Sequence, residues 1–147
     1  MDTHELSHAG RVAAIDYGRR RIGVAVSDPT QTIASPHSVF LNKAPAASPP
    51  ISLIVGLEKL DLARILIGVP LLMDGGEGEM AAEARLFGRI LAERLGVHLV
   101  EWDERLSSLE ARRELLRLGV RRGKRRRKGT EDVMAATLML RDYLGTL

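Results

Sequence analysis

The chain has 147 residues, about one ordinary domain, and 45% of them are apolar, which supports a packed core and excludes wholesale disorder. Its formal net charge of +3 hides an asymmetry: residues 121–128 hold seven of the 22 basic side chains, and without them 15 positive groups face 19 negative ones. There is no cysteine, hence no disulfide frame, thiolate zinc site or cysteine nucleophile, and no apolar run of the roughly 18 residues that a membrane span requires.

Residues 1–10 are polar, with two acids and no apolar stretch, and read as a disordered tail rather than a secretory signal; a cytoplasmic protein is expected. Residues 11–17 (RVAAIDY) form a short apolar run carrying Asp16 at its end, and residues 22–27 (IGVAVS) a second strand. The polar connection between them is short, which predicts an antiparallel hairpin. Residues 32–41 suggest a third, weaker strand, and the proline-rich stretch 43–50 a loop.

The period then changes. Residues 51–60 suggest a helix, and residues 63–69 (ARILIGV) an apolar strand of the kind buried on both faces. The stretch 70–78 is a glycine-rich loop. Met80, Ala84, Phe87, Leu91 and Leu95 recur at helical spacing until Gly96. Residues 97–102 read as a strand and residues 107–118 as a helix opened by a capping box, Ser107 with Glu110. After the basic segment, a last helix begins near Thr130, with Val133, Ala136, Leu140, Tyr143 and Leu144 on one face. Strands that alternate with helices pair in parallel, and the opening hairpins add an antiparallel edge. The expected fold class is α/β: a mixed five-stranded sheet with helices on both faces, in one domain over residues 11–147.

Four acids stand where chemistry is possible. Asp16 ends an apolar strand, where a carboxylate is costly unless it pairs with Arg19, Arg20 or Arg21 or binds a cation. Asp103 and Glu104 follow the last strand, with Arg105 placed to neutralise one of them, and ligands in open α/β sheets gather at the carboxyl ends of parallel strands. Asp132 lies in the first turn of the last helix, where the helix dipole alone is enough to explain an acid and spacing by itself favours that explanation. Asp74, in the glycine-rich loop, reads as a turn residue. Asp16, Glu104 and Asp132, from three separate elements, make a candidate oxygen-donor set for Mg²⁺ or Mn²⁺, serving as both metal ligands and catalytic groups. The five aromatic residues, Tyr17, Phe40, Phe87, Trp102 and Tyr143, are too few for a base-stacking platform. Phosphate contacts are instead expected from Arg20, Arg21 and Arg105 and from the segment Arg121, Arg122, Lys124, Arg125, Arg126, Arg127 and Lys128, a solvated loop being the bland alternative for the latter.

The run Asp16-Tyr17-Gly18-Arg19-Arg20-Arg21-Ile22-Gly23-Val24-Ala25-Val26-Ser27-Asp28 resembles the N-terminal signature of the bacterial YqgF/RuvX family. Three further blocks match in order: Ile67-Gly68-Val69-Pro70-Leu71 with Met73-Asp74-Gly75, then Asp103-Glu104-Arg105-Leu106, then Asp132 with Ala135-Ala136 and Tyr143-Leu144. The resemblance implies an RNase H-like fold, a relation to RuvC-type resolvases, and acidic site positions at Asp16, Glu104 and Asp132. It further implies a nuclease implicated in maturing the 5′ end of pre-16S rRNA, in a family earlier proposed to resolve Holliday junctions. Ser107-Ser108 departs from the usual pair of threonines but keeps the hydroxyls, and the basic cluster is denser than the family pattern.

The leading expectation is therefore a metal-dependent nuclease acting on structured RNA such as precursor rRNA. Its rival is a resolvase of branched DNA, which would need two sites and hence a homodimer; a monomer suits the first reading. A non-catalytic nucleic-acid-binding module would need only the basic segment. An actin-like ATPase would need two domains around its nucleotide, more than this chain supplies.

Overall fold

Strand pairing begins locally. β1 (Arg11–Asp16) and β2 (Arg21–Ser27) form the antiparallel hairpin that the short connection predicts, and β3 (Ala34–Leu41) joins the outer edge of β2, also antiparallel. The structure, a computed structural model, describes residues 10–43, 48–106 and 130–147. The expected helix over 107–118, the basic segment 121–128 and the N-terminal tail before residue 10 lie outside the described residues.

β4 (Leu62–Val69) pairs in parallel with β1, and β5 (His98–Asp103) in parallel with β4. The sheet order is β3-β2-β1-β4-β5, a mixed five-stranded sheet. α1 (Ile51–Glu58) and α2 (Glu79–Leu95) pack on one face, where Leu53, Leu57, Phe87 and Leu91 meet Ile15, Ile22, Val24, Ile65 and Ile67. α3 (Thr130–Leu144) covers the other face, with Ala136, Met139, Leu140 and Tyr143 on Val12, Ala14, Ala25 and Leu66. The central strands are therefore buried on both sides, which is why β1 and β4 read as continuous apolar runs rather than alternating ones.

Three departures from the sequence reading have local causes. β3 starts at Ala34, not residue 32, because both carboxylate-facing amides, Thr32 N and Ile33 N, donate to Asp28 Oδ1 (2.8 and 2.7 Å) and fold residues 28–33 into a turn. α1 ends at Glu58 because Leu60 N bonds back three residues to Leu57 O, tightening the last turn. The buried face of α3 is shifted from the predicted one: Ala135 and Met139 join it, since the helix lies across several strands, while Val133 in the first turn is only partly buried. Gly96 ends α2 as expected, in the left-handed conformation (φ +69°).

Candidate functional site

β1 delivers Asp16 to its last position, directly opposite Gly23 of β2. Directly paired residues share a face, and the period of two puts Asp16 on the side of Val12 and Ala14, beneath α3. Gly23 lacks the side chain that would separate sheet from helix there. A Cβ on Gly23 would stand 2.3 Å from the carbonyl oxygen of Asp132 and 2.9 Å from its Cβ. The first turn of α3 is thus set down on β2 beside Asp16.

The same device recurs on the other side of β1. Ile15 pairs with Ile67, so Gly68 follows alongside Asp16 on the α3 face. A Cβ on Gly68 would lie 2.8 Å from Met139 Sδ and 2.9 Å from Glu104 Oε1. Glu104 opens a 3-10 turn (Glu104–Leu106) directly after β5, and its carboxylate leans over β4 into the space that Gly68 leaves. Asp16, Glu104 and Asp132 are thereby brought to one face at one end of the sheet, beside the carboxyl ends of β1, β4 and β5. Asp16 and Glu104 are buried, while the Asp132 side chain is 29% exposed.

The neighbouring charges sort themselves by partner. Arg21 Nε donates to Asp132 Oδ2 at 3.3 Å. Arg19 is held on α2 instead: its Nε donates to Glu83 Oε2 at 2.8 Å, and Tyr17 OH donates to Glu83 Oε1 at 3.3 Å. That hydrogen bond from Arg19, before any other cause, holds the Glu83 carboxyl below its ordinary range. Arg20 is exposed at the hairpin tip. The tip itself is fastened by Asn42, whose backbone N donates to Arg20 O and whose Nδ2 donates to Gly18 O, both at 2.8 Å.

Asp103 and Glu104 take different roles although adjacent. Arg105 clamps Asp103 with two side-chain contacts, Nε to Oδ1 at 3.1 Å and Nη2 to Oδ2 at 2.7 Å, which keep the Asp103 carboxyl below its ordinary range. Arg105 Nη1 also reaches Met73 O at 3.4 Å and so ties the glycine-rich loop to the end of β5. Asp74 is a turn residue there, its Oδ1 accepting from Gly76 N at 2.7 Å. The basic residues Arg121, Arg122, Lys124, Arg125, Arg126, Arg127 and Lys128 lie outside the described residues.

Three carboxylates supply the hard oxygen donors that a divalent cation takes, and the two glycines are what allow Asp132 and Glu104 to approach the strand ends. In their chemistry these residues fit such an ion. Among the described residues no three His, Cys, Asp or Glu side chains already stand around one point, and Asp132 is engaged by Arg21. Sequence reading singled out the acids but gave Gly23 and Gly68 no role beyond their place in the family blocks. The available signal was an isolated glycine within a strand pattern, a mark of close approach by another element.

Comparison with known proteins bears on the family and the fold. The family model described as "RuvX: Holliday junction resolvase" matches residues 10–146. A protein of Halothermothrix orenii is 40% identical over 135 residues, spanning 91% of this chain and 94% of the relative. Relatives from Syntrophomonas wolfei (38% over 135 residues; 91% and 93%) and Syntrophus aciditrophicus (36% over 138 residues; 93% and 89%) are similar in extent. All three are provisionally named pre-16S rRNA nucleases. Among solved structures, Thermus thermophilus RuvC in complex with a Holliday junction substrate superposes with a TM-score of 0.55 at 17% identity, covering 93% of this chain and 97% of that one. RuvC from the same organism in a second structure gives 0.54 at 15% identity, with 92% and 97% covered. At such identities the likeness shows the fold: RuvC-like, of the RNase H type.

Proposed function

The chain belongs to the RuvX family, and from that premise we propose that it is a divalent-metal-dependent nuclease that hydrolyses phosphodiester bonds in structured RNA, with precursor 16S rRNA as the substrate class. The observation that supports the reading is that Asp132 lies against Gly23 and Glu104 against Gly68, on the same face and at the same end of the sheet as Asp16.

In this reading Asp16, Glu104 and Asp132 are metal ligands and catalytic groups. They would hold Mg²⁺ or Mn²⁺, which when bound would supply Lewis-acid activation of a water and stabilisation of the leaving oxygen. The burial of Asp16 and Glu104 keeps them from bulk water, which strengthens their hold on a cation, while the more open Asp132 leaves a side from which the backbone of the substrate enters. Arg20, exposed beside the site, meets phosphate oxygens, joined by the basic groups of 121–128. Arg21 and Arg105 support the site in addition to any phosphate contact, through Asp132 and Asp103.

The RuvC fold and the family's description favour a second reading, the resolution of four-way DNA junctions by the same residues. Labelled precursor rRNA and a labelled four-way junction, each incubated with the protein in Mg²⁺, Mn²⁺ or EDTA, separate the two. The proposal expects metal-dependent cleavage of the RNA. Symmetric cleavage of the junction alone favours the second reading, and binding without cleavage of either favours a non-catalytic module.

A further inference from the structure

The two acids at the end of β5 face opposite sides of the sheet. Glu101 pairs with Ile67 and Asp103 with Val69, so the period of two sets both acids on the side of α1 and α2, where Glu101 accepts from Arg85 Nε at 2.5 Å. Glu104 continues the alternation past the end of the strand. Its carboxylate is buried on the α3 face, in the space that Gly68 leaves.

Arg105 fastens this turn from the side of Asp103. Its backbone N donates to Asp103 Oδ1 at 3.0 Å, and its guanidinium forks the same carboxylate through Nε (3.1 Å) and Nη2 (2.7 Å). The remaining nitrogen, Nη1, donates to Met73 O at 3.4 Å. All three guanidinium nitrogens are thus engaged within the protein, and the residues before and after Glu104 are joined across it. Holding both neighbours fixes the direction in which Glu104 leaves the backbone. The Asp103 and Arg105 side chains are 19% and 33% exposed, and ion pairs so placed add little to stability; what a fork adds is geometry. We propose that the Asp103–Arg105 pair positions Glu104 for phosphodiester cleavage, and that Arg105 is committed to this task rather than to a substrate phosphate. This inference rests on the reading above that Glu104 takes part in cleavage, and adds to it the two residues that aim the Glu104 side chain.

The test compares the unaltered full chain with Asp103→Asn, Arg105→Ala, Arg105→Lys and Glu104→Gln. Single-turnover cleavage of labelled precursor rRNA is followed in Mn²⁺ at saturating protein, RNA binding in EDTA over a series of salt concentrations, and thermal unfolding for each variant. Asp103→Asn, Arg105→Ala and Arg105→Lys are each expected to slow saturated cleavage roughly 10–100-fold, the cost of a small misplacement, with affinity, salt slope and unfolding midpoint unchanged. If Arg105→Ala does not fold, Arg105→Lys and Asp103→Asn carry the same expectation. A phosphate contact predicts otherwise: a slope flattened by about 0.7 on single strands in Arg105→Ala, and tighter binding in Asp103→Asn, which releases the guanidinium. Either of those results overturns the inference. So does unchanged cleavage by the folded Asp103 and Arg105 variants while Glu104→Gln is inactive, which leaves the nuclease reading standing. Cleavage by Glu104→Gln at the unaltered rate, or none by the unaltered protein, overturns that reading and the inference with it.

Discussion

The carbonyl oxygen of Asp132 sits where a side chain on Gly23 would begin, 2.3 Å from the position of the missing Cβ. This contact sets the height of α3 above the sheet and the distance between Asp132 and the strand that pairs with Asp16. The obstacle is backbone, so no rotamer change relieves it. Gly23→Ala is therefore expected to destabilise the fold by about 1–3 kcal/mol, the usual cost of overpacking. It should also reduce cleavage beyond what the unfolded fraction explains. Denaturant unfolding and single-turnover cleavage, measured together, check both; a variant with unchanged stability would show that α3 can lift without cost.

Gly68 poses a different problem, because its missing side chain is approached by two side chains, Met139 Sδ at 2.8 Å and Glu104 Oε1 at 2.9 Å. Methionine yields readily, so Gly68→Ala is expected to cost less stability than Gly23→Ala. Glu104 yields by moving its carboxylate out of the space beside Gly68. The expected result is a large loss of cleavage with a modest loss in melting temperature. Equal proportional losses in the two would argue that Glu104 has no role beyond packing.

The acids themselves were legible in the sequence, and their company was not. Asp16 and Glu104 stood out because a carboxylate at the end of an apolar strand needs a reason. By position Asp132 read first as a helix-dipole residue and rose above that only through the family resemblance; its contact with Gly23, 109 positions earlier, sets it on the strand that pairs with Asp16. That contact is made between a backbone and an absent side chain, which leaves no pattern in hydropathy. The arginines were equally opaque. Arg19 and Arg21 lie two residues apart, yet one leaves the hairpin toward Glu83 on α2 and the other toward Asp132 on α3. The sheet was the most readable part, since strand runs, the short hairpin and the change of period each state a local preference that the packing then agrees with.

The turn after β2 gives the fold a dependence on acid. Asp28 accepts from Ile33 N, the Thr30 hydroxyl and Thr32 N, and these bonds lower its pKa from 3.8 to about 2. The folded-state value is depressed, so the unfolded chain binds the proton more readily. The contribution of Asp28 is fully present above pH 3.8 and is lost as pH falls through about 2. Asp28→Asn, which cannot titrate, should show a flatter dependence of stability on pH across that window. Urea unfolding at a series of pH values checks this, and parallel curves for the two proteins would contradict it.

The basic segment 121–128 is expected to act by charge alone. Replacing Arg125, Arg126 and Arg127 with alanine should weaken binding to all nucleic-acid sequences alike, because phosphate contacts position without reading bases. The slope of log K against log salt should flatten by about two units on single strands if all three meet phosphates, at roughly 0.7 per contact. An unchanged slope in filter-binding assays would assign the segment to solvent or to another protein.

The central claim is that Asp16, Glu104 and Asp132 form one metal-dependent nuclease site. Its most direct test is single-turnover cleavage of labelled precursor rRNA in Mn²⁺ by the unaltered protein and by Asp16→Asn, which keeps the size of the side chain and removes its charge. Cleavage by Asp16→Asn should fall to the background seen in EDTA, with the circular dichroism spectrum and unfolding midpoint preserved. A folded Asp16→Asn protein that cleaves at the rate of the unaltered one would contradict the account.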